Sequence, residues 1–201
     1  MTTDPARLLE QAREGDAAAA GSLLEMYRRY LTLLARVEIG QRLQGKVDPA
    51  DLVQDTFLDA HRNLERFRGT TEAELVCWLR QILAGNLANL LRRYLGTRGR
   101  DVRLEREVLQ AIDRSSVLLD RGLIADQSSP SQQAARREQA VLLADALGEL
   151  PDDYREVIVL RHLDGLTFPE VAGRMGRSVG AVEKLWMRAL AQLRQIMGAS
   201  A

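Results

Sequence analysis

The stretch Thr167–Leu190, TFPEVAGRMGRSVGAVEKLWMRAL, constrains the chain more than any other. Its spacing is that of two short helices crossing at a tight turn. Ala172 is small where the helices must approach closely. Gly176 falls where the turn needs a left-handed residue, a conformation that glycine adopts without steric cost. Val182 falls where the second helix must fill the core. Thr167 and Glu170 form a Thr-x-x-Glu capping box, and Ser178 is a good N-cap for the second helix. In DNA-binding helix-turn-helix proteins the start of such a second helix enters the major groove. Helix pairs of this kind also occur in bundles that touch no nucleic acid, so charge has to decide.

Between Arg174 and Arg194 stand five bases (Arg174, Arg177, Lys184, Arg188 and Arg194) against one acid, Glu183. The whole chain is neutral, with 28 basic and 28 acidic residues. A basic patch on a neutral chain is the electrostatic footprint of a phosphate contact.

The chain of 201 residues has room for one large domain or two small ones. Hydrophobic residues make up 46%, enough for a packed core, and Leu and Ala dominate while aromatics are 4%. Few prolines and short β-branched runs predict an all-α fold. The lone cysteine, Cys77, excludes an intramolecular disulfide and, beside Trp78, reads as a small core residue. No run of about 18 apolar residues predicts a membrane span, and the N-terminus lacks a signal pattern, so a soluble cytoplasmic protein is expected.

Three blocks follow from the pattern. In 1–94, Asp4-Pro5 opens a short helix that Gly15 ends. Asp16 caps a longer one through Leu34. Asp48-Pro49 opens a third, and Thr71 with Glu74 caps a fourth running to Tyr94 after the loop Phe67–Thr71. Residues 95–133, with Gly96, Gly99, Gly122 and the run Asp126–Ser131, read as a flexible linker in which Val102–Leu119 has transient helical character. Residues 134–197 hold four helices, with Pro151 separating the first two and the helix-turn-helix last. The expected architecture is two small helical bundles joined by that linker.

Two further clusters stand out. Asp51, Asp55 and Asp59 recur at helical spacing beside Gln54, in a stretch without a base, and so stack on one face. Their mutual repulsion, a few tenths of a kcal/mol per pair, would be offset by a metal or by a basic partner protein, unless the face is simply solvated. Arg80, Arg92, Arg93, Arg98, Arg100, Arg103 and Arg106 are opposed only by Asp101 and Glu105, and share a region with Trp78, Asn86 and Asn89. Cations, amides and an aromatic suit single-stranded or distorted DNA, although Trp78 also fits a core position. No nucleotide loop, nucleophile elbow or zinc-protease motif is present, and His61 and His162 each adjoin an arginine on a helix, where a surface role is the default. No catalytic residue, metal, cofactor or small-molecule substrate is expected, so the chain reads as a non-enzyme.

With these blocks in order, the chain resembles the sigma factors of bacterial RNA polymerase, in the extracytoplasmic-function (ECF) subgroup of the sigma-70 family. Asp48–Gly69 (DPADLVQDTFLDAHRNLERFRG) is similar to the family's regions 2.2 and 2.3, and Cys77–Tyr94 to its region 2.4. Leu147–Arg194 is similar to region 4. The resemblance implies a dissociable factor that binds core polymerase and directs promoter-specific initiation, with 1–94 as region 2 and 134–197 as region 4. It implies docking of the helix with Asp51, Leu52, Gln54, Asp55 and Phe57 on the β′ clamp helices, with the β flap as a second contact. It assigns Arg68, Trp78, Arg80, Asn86, Asn89, Arg92 and Arg93 to the −10 element, with a flipped base held by the loop Phe67–Thr71. It assigns Thr167, Arg177, Ser178, Val179, Ala181, Lys184 and Arg188 to the −35 element, and the linker to a path near the polymerase active site and RNA exit. An anti-sigma factor is a further partner common in the family. Glu183 and Leu185 depart from the Lys and Arg of many members, and Asn89 from a frequent Asp. Two rivals remain at this level: a one-component regulator that binds DNA without polymerase, and a helical adaptor that contacts no nucleic acid.

Overall fold

A computed structural model describes residues 4–43, 47–95, 102–122 and 133–199. Lys46, Gly96, Arg98, Gly99, Arg100, Asp101 and the run Asp126–Ser131 lie outside them. Every regular element among the described residues is helical, as expected, and the chain divides into two compact units, Met1–Arg114 and Ser115–Ala201.

The first unit begins with α1 (Pro5–Arg13) and α2 (Ala17–Met26). The Asp4 carboxylate accepts from the Ala6 amide at 3.0 Å, and that of Asp16 from Ala18 and Ala19 at 2.9 and 3.0 Å, so each helix start is satisfied locally. The single helix expected after Asp16 is two. Tyr27, at φ −100° and ψ 1°, interrupts it before α3 (Arg28–Leu43). Its ring is fully buried and its hydroxyl donates to Glu72 at 3.0 Å, so a tertiary contact holds the break. Asp48 caps α4 (Pro49–Asn63), a 3-10 turn spans Leu64–Arg66, and α5 (Glu72–Leu95) follows the loop. Leu31, Leu34, Val53, Ala60, Leu79, Leu83 and Leu87 form the core where α3, α4 and α5 meet. Each buried leucine contributes about 1.5–3 kcal/mol, so packing rather than propensity fixes these helices.

The segment read as linker contains α6 (Val102–Gly122), with Val108, Ala111 and Ile112 buried. The division between units falls within it.

In the second unit α7 (Gln133–Glu149) leads to Pro151 and α8 (Asp152–Ile158). A π-helical turn, Val159–Leu163, continues α8, and then come α9 (Phe168–Met175) and α10 (Val179–Ala199). Arg155 ties the first corner. Its Nε donates to the Leu147 carbonyl at 2.9 Å, and its Nη2 to those of Gly148 and Leu150 at 3.1 and 2.8 Å. These carbonyls lie at and just past the end of α7, where intrahelical donors run out, although Leu147 also accepts from the Leu150 amide at 3.3 Å. Arg161 does the same at the next corner, donating to the Leu166 carbonyl at 3.1 Å with its guanidinium 5.1 Å from the Phe168 ring centroid.

Candidate nucleic-acid and partner interfaces

In the second unit, α9 and α10 form the helix-turn-helix. Glu170 accepts from the Thr167 amide and hydroxyl, both at 2.7 Å, and the same two bonds hold its carboxyl below the usual range. Gly176 lies at φ 64° and ψ 33°, and the Arg177 amide donates to the Ala172 carbonyl at 3.0 Å, closing the turn. The Ser178 hydroxyl accepts from the Ala181 amide at 3.3 Å at the start of α10. Val182, Leu185, Ala189 and Leu193 face inward, while Ser178, Val179, Ala181, Lys184 and Arg188 are exposed. The spacing of Ala181, Lys184 and Arg188 puts them on one outward face. Leu185 belongs to the core, so its departure from a basic residue removes no surface contact.

Two side chains here differ from the sequence expectation. Arg177 is ion-paired with Asp153 of α8, so a phosphate would have to compete for it. His162 is half-buried, not a surface residue: its Nε2 accepts from Trp186 Nε1 at 2.9 Å, which places the imidazole proton on Nδ1. Burial, aided by the neighbouring Arg161 charge, holds its pKa below the ordinary value. Met187 adds an exposed apolar side chain to α10 that the basic pattern did not single out.

In the first unit, Asp51, Gln54 and Asp55 are exposed on α4, and neither aspartate carries an ion pair among the described residues. Asp59 lies 3.6 Å from Arg62 in an exposed pair that contributes little. Among the described residues no group of His, Cys, Asp and Glu has the arrangement of a metal site. Leu52 and Phe57 are corrections. At 3% and 7% exposure they are core residues of α4, because they fall on its inner stripe; of the two only Leu52 touches the groove between α4 and α5. Leu58, exposed between Asp55 and Asp59, is the apolar side chain that this face does present. Helical spacing from Asp51 and Asp55 was the signal that could have found it.

Asp51, Asp55, Leu58, Asp59 and Arg62 form one wall of a groove of about 310 Å³, and Asn86, Asn89, Leu90 and Arg93 of α5 form the other. The structure thus joins residues that the sequence assigned to two separate partners. Asn89 accepts from Arg92, an i,i+3 pair that orients both side chains. Arg80 is the third correction. It is 7% exposed and 3.6 Å from Asp113 of α6, so it is covered rather than available to DNA.

The loop before α5 is ordered from several sides. The Glu74 carboxylate accepts from the Thr70 and Thr71 amides at 2.8 and 3.0 Å and from the Thr71 hydroxyl at 2.9 Å. Those bonds, the backbone ones foremost, lower its pKa. Trp78 is half-buried and stacks on Phe67 at 4.9 Å between centroids with 28° between planes. Gly69 packs so tightly that a Cβ there would lie 2.3 Å from the Phe67 ring. Arg68 is exposed. Cys77 is intermediate in exposure, less buried than its apolar surroundings suggested.

Known proteins match both units. Residues 26–96 match the family model described as Sigma-70 region 2, and residues 140–193 the one described as Sigma-70, region 4. The ECF RNA polymerase sigma-E factor of Haemophilus influenzae is 30% identical over 187 residues, covering 93% of this chain and 91% of that protein. The protein of the same description from Escherichia coli K12 is 30% identical over 182 residues, 90% of this chain and 88% of that one. CnrH, solved in complex with the cytosolic domain of CnrY, is 28% identical over 98% of this chain and 100% of that one, at a TM-score of 0.37.

Proposed function

The chain belongs to the sigma-70 family as an ECF sigma factor, and from that premise we propose how its two units share the work of starting transcription. It is a promoter-directing initiation factor that binds core RNA polymerase and promoter DNA. The exposed carboxylates of Asp51 and Asp55, with Gln54 and Leu58, dock on a basic surface of the polymerase clamp. Across the groove, Asn86, Asn89, Arg92 and Arg93, with Trp78 and the loop Phe67–Thr71, open and read the −10 element. Ser178, Val179, Ala181, Lys184 and Arg188 on α10 read the −35 element.

The chemistry of nucleotide addition stays with the polymerase; this chain supplies position and sequence choice, and works in the cytoplasm. No helix among the described residues is long and apolar enough to cross a membrane. Each contact alone is modest, and a neutral chain gains little from long-range attraction to DNA. Held together by the polymerase, the two contacts act at high effective concentration.

The observation that carries this reading is the groove in which the acidic face of α4 meets the amide and cationic face of α5. Transcription in vitro from a genomic promoter library, with core polymerase alone and with this chain added, tests it. Initiation at a defined set of promoters only when the chain is present is expected. The same initiation pattern with core alone would refute it.

A further inference from the structure

We propose that Arg13, at the end of α1, is a positioning residue that sets the conformation of the loop Phe67–Thr71 and through it the base preference at one position of the −10 element. The inference rests on the reading of that loop as the base-reading loop.

Arg13 is half-buried, and its Nη2 donates to the Gly69 carbonyl and, at 3.5 Å, to that of Phe67. The same guanidinium lies 5.6 Å from the centroid of the Phe67 ring, which in turn stacks on Trp78. One side chain therefore fixes both the backbone of the loop and the aromatic ring within it. The loop has no regular secondary structure, and its far end is held separately by the Thr71–Glu74 box. Between Leu64 and that box, Arg68, within the loop, donates to the Glu65 carbonyl at 3.4 Å, while Arg13 takes the carbonyls of Phe67 and Gly69 from outside it. A lysine would not reproduce it, because two carbonyls and a ring face call for a planar fork rather than a point charge.

The cleft beside it, about 230 Å³, is lined by Arg13, Glu65, Phe67 and Arg68. The exposed Glu65 carboxylate and Arg68 guanidinium are complementary to one unstacked nucleotide, as an acceptor for an exocyclic amine and charge for a phosphate, beside a wall formed by Arg13 and the buried Phe67 ring. Discrimination at such a cleft depends on how well its walls are held before the base arrives. Arg13 also lies outside the segment 26–96 that matches the region 2 model, so this brace comes from a part of the chain beyond that match.

The test uses holoenzymes assembled from core polymerase with the full chain, its Arg13→Ala variant and its Arg13→Lys variant. Open-complex formation is measured on templates carrying each of the four bases at every −10 position, alongside core affinity and −35 preference. Arg13→Ala should lose about tenfold of base discrimination at one −10 position, the scale of one charge-assisted hydrogen bond, with core affinity and −35 preference unchanged. Arg13→Lys should fall between it and the parent. An unaltered base profile, or an equal loss at every position, overturns the proposal. If Arg13→Ala fails to assemble with core, the Arg13→Lys profile decides by the same criterion. A parent holoenzyme with no −10 preference would sink the reading of the loop itself, a different outcome from a parent that selects and a variant that selects equally.

Discussion

Removing Arg155 should destabilise the second unit alone. In Arg155→Ala the carbonyls of Leu147, Gly148 and Leu150 lose the guanidinium, Leu147 keeping only the Leu150 amide at 3.3 Å, and the first and third belong to buried residues. The fourth contact, to Asp152 at 3.0 Å, involves a side chain 95% exposed and adds almost nothing. Water can reach part of the corner, since the Arg155 side chain is itself 28% exposed, so the full desolvation penalty does not apply. About 1 kcal/mol for each of the Gly148 and Leu150 carbonyls, and less for that of Leu147, gives a loss of roughly 2–3 kcal/mol. With a urea dependence of about 1.5 kcal/mol/M for a unit of this size, the midpoint should move down by roughly 1.5–2 M. Each unit holds one of the chain's two tryptophans, Trp78 in the first and Trp186 in the second. In a Trp78→Phe background, Trp186 emission follows the second unit, and in a Trp186→Phe background Trp78 follows the first. A shift below about 0.5 M in the Trp186 transition, or an equal shift in both, would refute the reasoning, because a solvated surface change stays within about 0.5 kcal/mol.

Lowering pH should weaken the second unit through His162. Its folded pKa lies below the ordinary 6.5, so the unfolded chain binds the proton first, and stability is lost as pH falls from about 6.5 toward the folded value. Urea midpoints read by Trp186 should drop over that window in the parent and less in His162→Asn; equal slopes would contradict this. Gly69→Ala puts a Cβ 2.3 Å from the Phe67 ring and 2.8 Å from Glu74 Cβ, so it should displace the ring from Trp78 at a cost of about 1–3 kcal/mol. Altered Trp78 emission with weakened promoter opening checks it; a parent-like spectrum would count against the packing argument. Replacing Asp51 and Asp55 together by lysine should reduce core affinity and leave thermal melting within a degree or two, both being exposed. Unchanged capture of core polymerase would show that the acidic face does not dock.

What the sequence made legible was mostly local. The boxes Thr71–Glu74 and Thr167–Glu170, the caps Asp4, Asp16 and Asp48, and Gly176 at positive φ were all readable because each interaction closes within a few residues. What escaped depends on partners distant in the chain. Arg80 looked like one cation among seven, and only Asp113 and the packing of α6 show that it is covered. His162 looked exposed until Trp186 met it from α10. Arg13 carried no motif at all; its meaning comes from carbonyls on a loop more than fifty residues away. Leu52 and Phe57 were misassigned for a simpler reason: a family motif names a helix, while helical phase decides which of its residues reach the surface. The same phase kept Leu185 in the core and left Lys184 and Arg188 outside.

The central claim is that the first unit meets the −10 element while the second meets the −35 element in one holoenzyme. A photocrosslinking residue placed at Arg93 in one variant and at Lys184 in another, each assembled with core polymerase on the same selected promoter, measures this directly. Crosslinks from position 93 confined to the −10 element and from position 184 confined to the −35 element are the result the account predicts. Crosslinks from both positions to the same element, or from either position equally without polymerase, would contradict it.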